Sequence, residues 1–229
     1  MEFIPGKIYQ YNEIADMLAN KAIESNTHII GLTGTSSVGK STFASFVKAH
    51  IENYGYTAQI LSADNYLKDS YKAGTNFWNR IDSPYLTPAH FDWKALSLDT
   101  SQLLSCLPVT KDCYIRGTGW GNEHIFTPTE FYIIEGLFLD SSEASNFMNY
   151  DLLISLTADD ALVRSLRIER DAYYRRTSKT FTRTEEETLE EIKNTLTASK
   201  SYTIAAFRSL YIRLHAKGSY NATIHIRNV

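Results

Sequence analysis

The sequence predicts an α/β fold in which a parallel sheet is sandwiched by helices. Two runs, Phe131-Tyr132-Ile133-Ile134 and Leu152-Leu153-Ile154-Ser155-Leu156, are short and nearly wholly apolar, as strands buried on both faces must be. A third, Ile29-Ile30-Gly31-Leu32-Thr33, runs into a glycine-rich turn and then into Phe43, Phe46, Val47 and Ile51 at helical spacing. Strands alternating with helices over 229 residues fit one α/β domain spanning 1–229, and a 43% hydrophobic content can fill its core.

The elements read in order as follows. Tyr11, Ile14, Leu18, Ala22 and Ile23 form a helical stripe over 9–25, ahead of the first strand at 28–33. Tyr56 to Ser62 reads as a second strand and ends at Ala63-Asp64. Residues 66–93, with Gly74, Pro84 and Pro88, are irregular and longer than most connections, a property of functional loops. Leu96 to Leu104 suggests a helix, and 105–130, rich in Gly and Pro, a loop or small hairpin. After the strands at 131–134 and 151–156 comes an arginine-rich helix over 159–175. Thr184-x-x-Glu187 has the form of a capping box and opens a helix expected to run toward residue 215. Thr223 to Ile226 reads as a last strand.

The sharpest chemical signal is Gly34-Thr35-Ser36-Ser37-Val38-Gly39-Lys40-Ser41, which matches G-x-x-x-x-G-K-[ST], the Walker A or P-loop motif. Glycines permit the tight turn, and backbone N–H groups then converge on phosphate oxygens at a helix N-terminus. Lys40 is expected to reach the β/γ-phosphates and the Ser41 hydroxyl to ligate Mg²⁺, with Thr42 next in line to bind ATP. The expected fold is therefore the P-loop NTPase type, with a nucleoside triphosphate and Mg²⁺ as its ligands.

Other properties exclude classes of function. A net charge of −3 and a pI near 6.1 argue against general nucleic-acid binding. The chain has no apolar stretch of membrane-spanning length, and Glu2 with no apolar region behind it gives no signal peptide, so a cytoplasmic location is expected. Cys106 and Cys113 are too few for a disulfide framework or a cysteine zinc site, and the histidines show no metal-ligand spacing.

Ligands of such sheets bind at strand C-termini. Asp64 and Glu135 fall there, and phosphoryl transfer needs a metal-holding acid and an orienter for the attacking hydroxyl. Glu135 follows four apolar residues and suits the metal role. Arg164, Arg167, Arg170, Arg175 and Arg176 mark either a solvated helix with Glu169 and Asp171 as partners or a mobile lid, roughly 164–184, that closes over transferring charge. The glutamates from 185 to 191 read as a solvated helix start. Trp78, Asp82, Tyr85, Phe91 and Trp93 are candidates to hold a ring or a sugar, and Asp92 reads as a helix cap. Tyr114, Arg116 and His124 are candidates to face a substrate from the second long loop.

With these residues in view, the chain resembles the uridine kinase / phosphoribulokinase branch of P-loop kinases, in order, over roughly 28–226. Beside the P-loop, Asp64-Asn65-Tyr66-Leu67-Lys68 resembles the segment whose Asp is the general base, which also makes Tyr66 a substrate-binding candidate. Ile81-Asp82-Ser83-Pro84 and Phe91-Asp92-Trp93 resemble the segment in which an Asp contacts ribose. Ile133-Ile134-Glu135-Gly136-Leu137 resembles the segment whose Glu lies near Mg²⁺. Arg164-x-x-Arg167-x-x-Arg170-Asp171-x-x-x-Arg175 resembles the lid helix. Two departures concern specificity. Pro108 to Tyr114 only echoes the base-contacting segment and lacks its His, and Tyr174-Arg175-Arg176-Thr177 replaces the lid's closing E-R-G-R.

The resemblance implies a kinase that moves the γ-phosphate of ATP to a hydroxyl of a small nucleoside or nucleoside-like acceptor. In it Asp64, Lys40, Arg167 and Arg170 are catalytic, and Gly34 to Thr42 with Arg175 bind ATP. Asp64, Tyr66, Asp82, Tyr114 and Arg167 bind the acceptor, and Ser41 and Glu135 hold the metal. Uridine, nicotinamide riboside, pantothenate, another nucleoside or a phosphosugar all stay open as acceptor, and a homo-oligomer is possible. Two rivals stand beside the kinase: a nucleotide-binding regulatory protein with a degenerate site, and a mechanical ATPase, for which the chain is short. The absence of an N-K-x-D signature argues against a GTPase.

Overall fold

The computed structural model describes residues 8–68, 86–115, 119–178, 181, 183–190, 192–193, 212–216 and 220–228. A seven-stranded sheet forms the centre, in the order β1 (Ile8–Gln10), β8 (Ile212–Ala216), β9 (Tyr220–Asn228), β7 (Leu152–Ala158), β2 (Ile29–Gly34), β6 (Phe131–Glu135) and β3 (Ala58–Ser62). The pairs β1–β8, β2–β7, β2–β6 and β3–β6 are parallel, while β9 is antiparallel to both its neighbours. The predicted parallel sheet is thus present with one reversed strand.

Alternation along the strands divides the core into two layers. Phe131, Ile133, Leu152, Ile154 and Leu156 face the layer that also holds α1 (Tyr11–Glu24) and α2 (Lys40–Asn53). Tyr132, Ile134 and Leu153 face the opposite layer, with Trp93, Leu96 and Leu103 of α3 (Trp93–Leu104). A β-strand exposes alternate side chains to opposite faces, so an all-apolar run is required when helices cover both.

Local chemistry sets the element ends. Asp92 Oδ1 accepts a hydrogen bond from Ala95 N at 2.9 Å and caps α3, as its sequence position implied; such caps contribute about 1 kcal/mol. Asp151 Oδ2 accepts from both His28 N and Ile29 N at 2.8 Å, fixing the start of β2 against β7. The predicted small hairpin is formed by β4 (Val109–Ile115) and β5 (Gly119–Phe126). A short helix α4 (Ser142–Ser145) and a longer α5 (Asp160–Thr177) follow β6 and β7. Among the described residues no helix is long and apolar enough to cross a membrane.

Two expectations are corrected. A short strand, β1, precedes the P-loop strand, which is therefore second in order. The capping box forms, with Glu187 N donating to Thr184 Oγ1 at 3.2 Å and Thr184 N to Glu187 Oε2 at 2.7 Å. Its helix, however, cannot reach 215, because β8 occupies Ile212–Ala216 between β1 and β9.

Candidate active site

The P-loop links β2 to α2 and takes backbone conformations that L side chains resist. Gly34 has φ +141° and Gly39 φ +92°, and a Cβ on Gly34 would lie 2.1 Å from the Leu156 carbonyl oxygen. Ser37 adopts φ +68°, unusual for a residue other than glycine and of the kind stored at functional loops. The hydroxyls of Thr35 and Ser37 are buried without a hydrogen-bond partner among the described residues. Such groups are costly to bury unless a ligand completes them, and phosphate oxygens are acceptors that would do so. Lys40 Nζ donates to Gly34 O at 3.0 Å and Thr35 O at 2.9 Å, so its ammonium sits across the mouth of the loop.

Three strand ends converge beside this loop. Glu135 closes β6, in register with Leu32 of β2 and Ser62 of β3. Asp64 lies two residues beyond β3 in a 3₁₀ turn, Ala63–Tyr66. The turn approaches so closely that a Cβ on Gly136 would stand 2.5 Å from Ala63 Cβ. Glu135 is buried, and the neighbouring Ser62 and Ser41 hydroxyls favour its charged form. Burial first, and then the neighbouring Asp64 charge, raise its pKa above the ordinary value, with Lys40 opposing. A hydroxyl and two carboxylates around one point are the hard oxygen donors a Mg²⁺ ion takes, with phosphate oxygens and water completing its shell. The residues therefore fit that ion, although no group of three acidic, His or Cys ligands occurs among the described residues.

The arginine helix α5 packs onto the loop from the other side. Arg167 Nη1 donates to Ser36 Oγ at 2.6 Å. Arg167 is 3% exposed, and burial lowers its pKa while Asp171, Tyr114 and Asp64 favour its charge. Asp171 is fully buried at the centre of a cluster, 3.5 Å from Arg167, 3.4 Å from Arg170 and 3.6 Å from Arg183, and it accepts from Thr188 Oγ1 at 3.2 Å. Burial alone would raise its pKa, but the three guanidiniums and Thr188 hold it below the ordinary value. Arg175 Nη1 donates to Thr188 Oγ1 at 3.2 Å and Arg183 O at 3.4 Å. On the acceptor side, Asn65 Oδ1 takes a hydrogen bond from Tyr114 N at 2.9 Å, tying the Asp64 turn to the hairpin.

Comparison with known proteins places this arrangement. Residues 29–213 match the Phosphoribulokinase / Uridine kinase family. The chain belongs to that family. The uridine kinase of Staphylococcus epidermidis is 29% identical over 151 residues, 64% of this chain and 70% of that one. The uridine kinase of Deinococcus deserti is 28% identical over 141 residues, 60% of this chain and 66% of that one. By structure, the D-glycerate 3-kinase of Cryptococcus neoformans var. grubii aligns with TM-score 0.60 over 82% of this chain and 88% of that one, at 12% identity, a likeness of fold. The protein is accordingly a P-loop kinase.

Within this member of the family, the predicted residues separate into two groups. Ser36, Ser37, Val38, Gly39, Lys40, Ser41, Thr42, Asp64, Glu135 and Arg170 line one cavity of about 910 Å³. Tyr66 does not line it: its ring is 2% exposed in the second core layer, with Lys111 Nζ 4.0 Å from its centroid. Arg175 is likewise held away, because its spacing from Asp171 turns it to Arg183 and Thr188. Tyr114 packs against Trp120, ring centroids 5.3 Å apart. Asp82, Trp78, Tyr85 and Arg116 lie outside the described residues. Sequence reasoning gave Asp171 as a solvated partner of the arginines or as part of the lid motif, not as the buried centre of a cluster, and did not single out Arg183 or Thr188. The R-x-x-R-x-x-R-D spacing was the available signal for the first, since i and i+4 residues share a helix face.

Proposed function

We propose that this protein is an ATP-dependent kinase that transfers the γ-phosphate to a hydroxyl of a nucleoside or nucleoside-like small molecule. The observation that carries the reading is the placement of two carboxylates, Asp64 and Glu135, at adjoining strand ends inside the cavity that holds the P-loop. Phosphoryl transfer is mostly positioning and charge stabilisation, and each residue supports one part of it. The P-loop amides and Lys40 hold the triphosphate. Ser41 and Glu135 would hold Mg²⁺, which would supply positive charge to offset that of the phosphates. Asp64 accepts the hydrogen bond of the acceptor hydroxyl, orients its oxygen in line with the γ-phosphorus and takes its proton. Arg170, in the cavity wall, and Arg167, behind Ser36, stabilise the charge on the equatorial oxygens of the transferred group. Asp82 and Tyr114 are proposed for the acceptor side.

ADP release with ATP and Mg²⁺ should depend on an added acceptor. A panel of uridine, cytidine, nicotinamide riboside, pantothenate and phosphosugars tests this, with Lys40→Ala and Asp64→Asn as controls. A signal from one acceptor class that both variants abolish supports the reading. ADP release that ignores every acceptor, or persists in Lys40→Ala, rejects it. Nucleotide binding without turnover on any acceptor would favour the regulatory binder.

A further inference from the structure

The 3₁₀ turn that brings Asp64 to the cavity turns its next residue toward the hairpin. Asn65 is buried, and both ends of its carboxamide are taken up by β4: Oδ1 accepts from Tyr114 N at 2.9 Å and Nδ2 donates to Cys113 Sγ at 3.3 Å. Among the described residues β4 and β5 form a two-stranded sheet of their own, so the ladder of the central sheet does not hold the hairpin. Lys111 anchors the lower part of β4, with its ammonium 4.0 Å from the centroid of the buried Tyr66 ring and 3.4 Å from Asp99 of α3. Asn65 holds the part nearer the tip.

The strand register explains why a side chain is needed there. Cys113 pairs with Asn122 and Ile115 with Gly119, so Trp120 and Gly121 together stand opposite Tyr114. This is a β-bulge, in which Gly121 takes φ +97°. A bulge interrupts the ladder and leaves backbone groups that need other partners. The Gly121 N–H goes to Asp112 Oδ1 at 2.8 Å, and the Tyr114 N–H goes to Asn65. Burial lowers the pKa of Arg167 while Asp171, Tyr114 and Asp64 oppose it, so the tyrosine and the carboxylate lie beside one guanidinium.

From this placement we infer that Asn65 is a positioning residue: it joins the bulged end of the hairpin to the turn bearing Asp64 and so fixes the hairpin relative to that carboxylate. The inference rests on the kinase reading, in which Asp64 takes the acceptor's proton and Tyr114 stands on the acceptor side. An acceptor held by the hairpin then meets Asp64 in a set geometry. A carboxamide suits the task because it accepts from a backbone N–H and donates to a thiol at once. Aspartate would lose the donor and set a second charge beside Asp64. Cys113 Sγ in turn donates to Lys111 O at 3.6 Å, which continues the link along β4 to its anchor on Tyr66.

Amide hydrogen exchange and steady-state kinetics of the full chain with ATP and Mg²⁺ test this. Asn65→Leu keeps the branched shape and removes both hydrogen bonds. Exchange should rise by about three- to tenfold, the scale of one lost neutral hydrogen bond, in Val109–Ile115 and in step in Ala63–Tyr66, with α2 and β2 as in wild type. On the acceptor that gives ADP release among uridine, cytidine, nicotinamide riboside, pantothenate and phosphosugars, kcat should fall by about ten- to a hundredfold, as a misplacement on the order of 1 Å does, with the KM for ATP unchanged. Cys113→Ala, which spares the Tyr114 bond, should move both readouts the same way by less, and it carries the test if Asn65→Leu does not fold. Faster exchange in the hairpin with the Asp64 turn as in wild type overturns the inference. So does faster exchange throughout the central sheet, or a kcat within about twofold of wild type. Failure of the kinase reading looks different: the wild type itself then shows no acceptor-dependent ADP release, and the exchange result alone decides whether Asn65 joins the two segments.

Discussion

Replacing Asp171 by Asn should destabilise the protein far more than a helix-surface substitution would. The carboxylate is fully buried and lies 3.4–3.6 Å from three guanidiniums. Asparagine keeps the shape and an oxygen for Thr188 but leaves Arg167, Arg170 and Arg183 facing one another with no balancing charge at their centre. Removing one partner of a buried ion pair costs about 3–5 kcal/mol. At about 2–4 °C per kcal/mol for a chain of this size, the melting temperature should fall by roughly 6–20 °C. The loss should also depend on pH. Asp171 titrates lower in the folded than in the unfolded protein, because the arginines favour its charged form. Its stabilisation is therefore complete above the ordinary Asp pKa of 3.8 and fades as pH falls through the depressed folded value. Thermal unfolding of both proteins from neutral to acidic pH measures this. A drop under about 2 °C at neutral pH, within the range of ordinary surface substitutions, would refute the argument that the cluster is held by charge.

Four further outcomes are expected. Asp64→Asn should reduce turnover by about 10²–10⁴-fold, the usual worth of a general base, with ATP affinity retained; unchanged kcat would remove Asp64 from the proton's path. Activity should fall on acidification at a pH above the ordinary Glu value of 4.5, because in its proposed role Glu135 would hold the metal as a carboxylate and burial raises its pKa; a pH–rate profile whose acidic limb is the same in Glu135→Gln would contradict this. Gly136→Ala should cost about 1–3 kcal/mol, since the new methyl would sit 2.5 Å from Ala63 Cβ, and a variant as stable as wild type in urea would show that the Asp64 turn yields freely. Tyr132→Phe should cost about 1–3 kcal/mol, because its buried hydroxyl accepts from Thr129 N at 2.8 Å and donates to Leu103 O at 3.1 Å, and both backbone groups would lose a partner; denaturant unfolding reads this directly.

The parts of this molecule that could be read from sequence are those whose constraints are local. The Gly34–Ser41 turn needs glycines at fixed positions, and Gly34 and Gly39 indeed take positive φ. β6 and β7 are covered on both faces, so their apolar runs are unbroken. Thr184 and Glu187 form their box from residues three apart. The illegible parts depend on partners distant in sequence. β1 has three residues and exists by pairing with β8, some two hundred positions away, so no local pattern announces it. β8 was absorbed into an expected helix because its sequence carries no turn signal that separates the two. The burial of Tyr66 follows from the way Asp92 N reaches back to Tyr66 O at 2.7 Å, a contact no spacing rule supplies.

Asp171 shows most clearly why a charged helix is ambiguous in sequence. Arg164, Arg167, Arg170 and Asp171 have the spacing of a solvated face, and Arg164 is indeed exposed. Turning the helix by one position brings Arg167 and Asp171 inside, where each would be prohibitively costly alone. They are tolerated together because Asp171 is shared among three arginines while Arg167 also reaches Ser36 of the P-loop. The carboxylate thus does more than balance charge. By holding Arg167 and Arg170 at one point it determines where their guanidiniums stand relative to Lys40 and Asp64. Because Arg167 donates to a P-loop hydroxyl, anything that displaces Ser36 must also move a side chain locked to α5. Arg167 thus joins the P-loop hydroxyl of Ser36 to Asp171, and Arg183 and Thr188 meet the same carboxylate from beyond the helix.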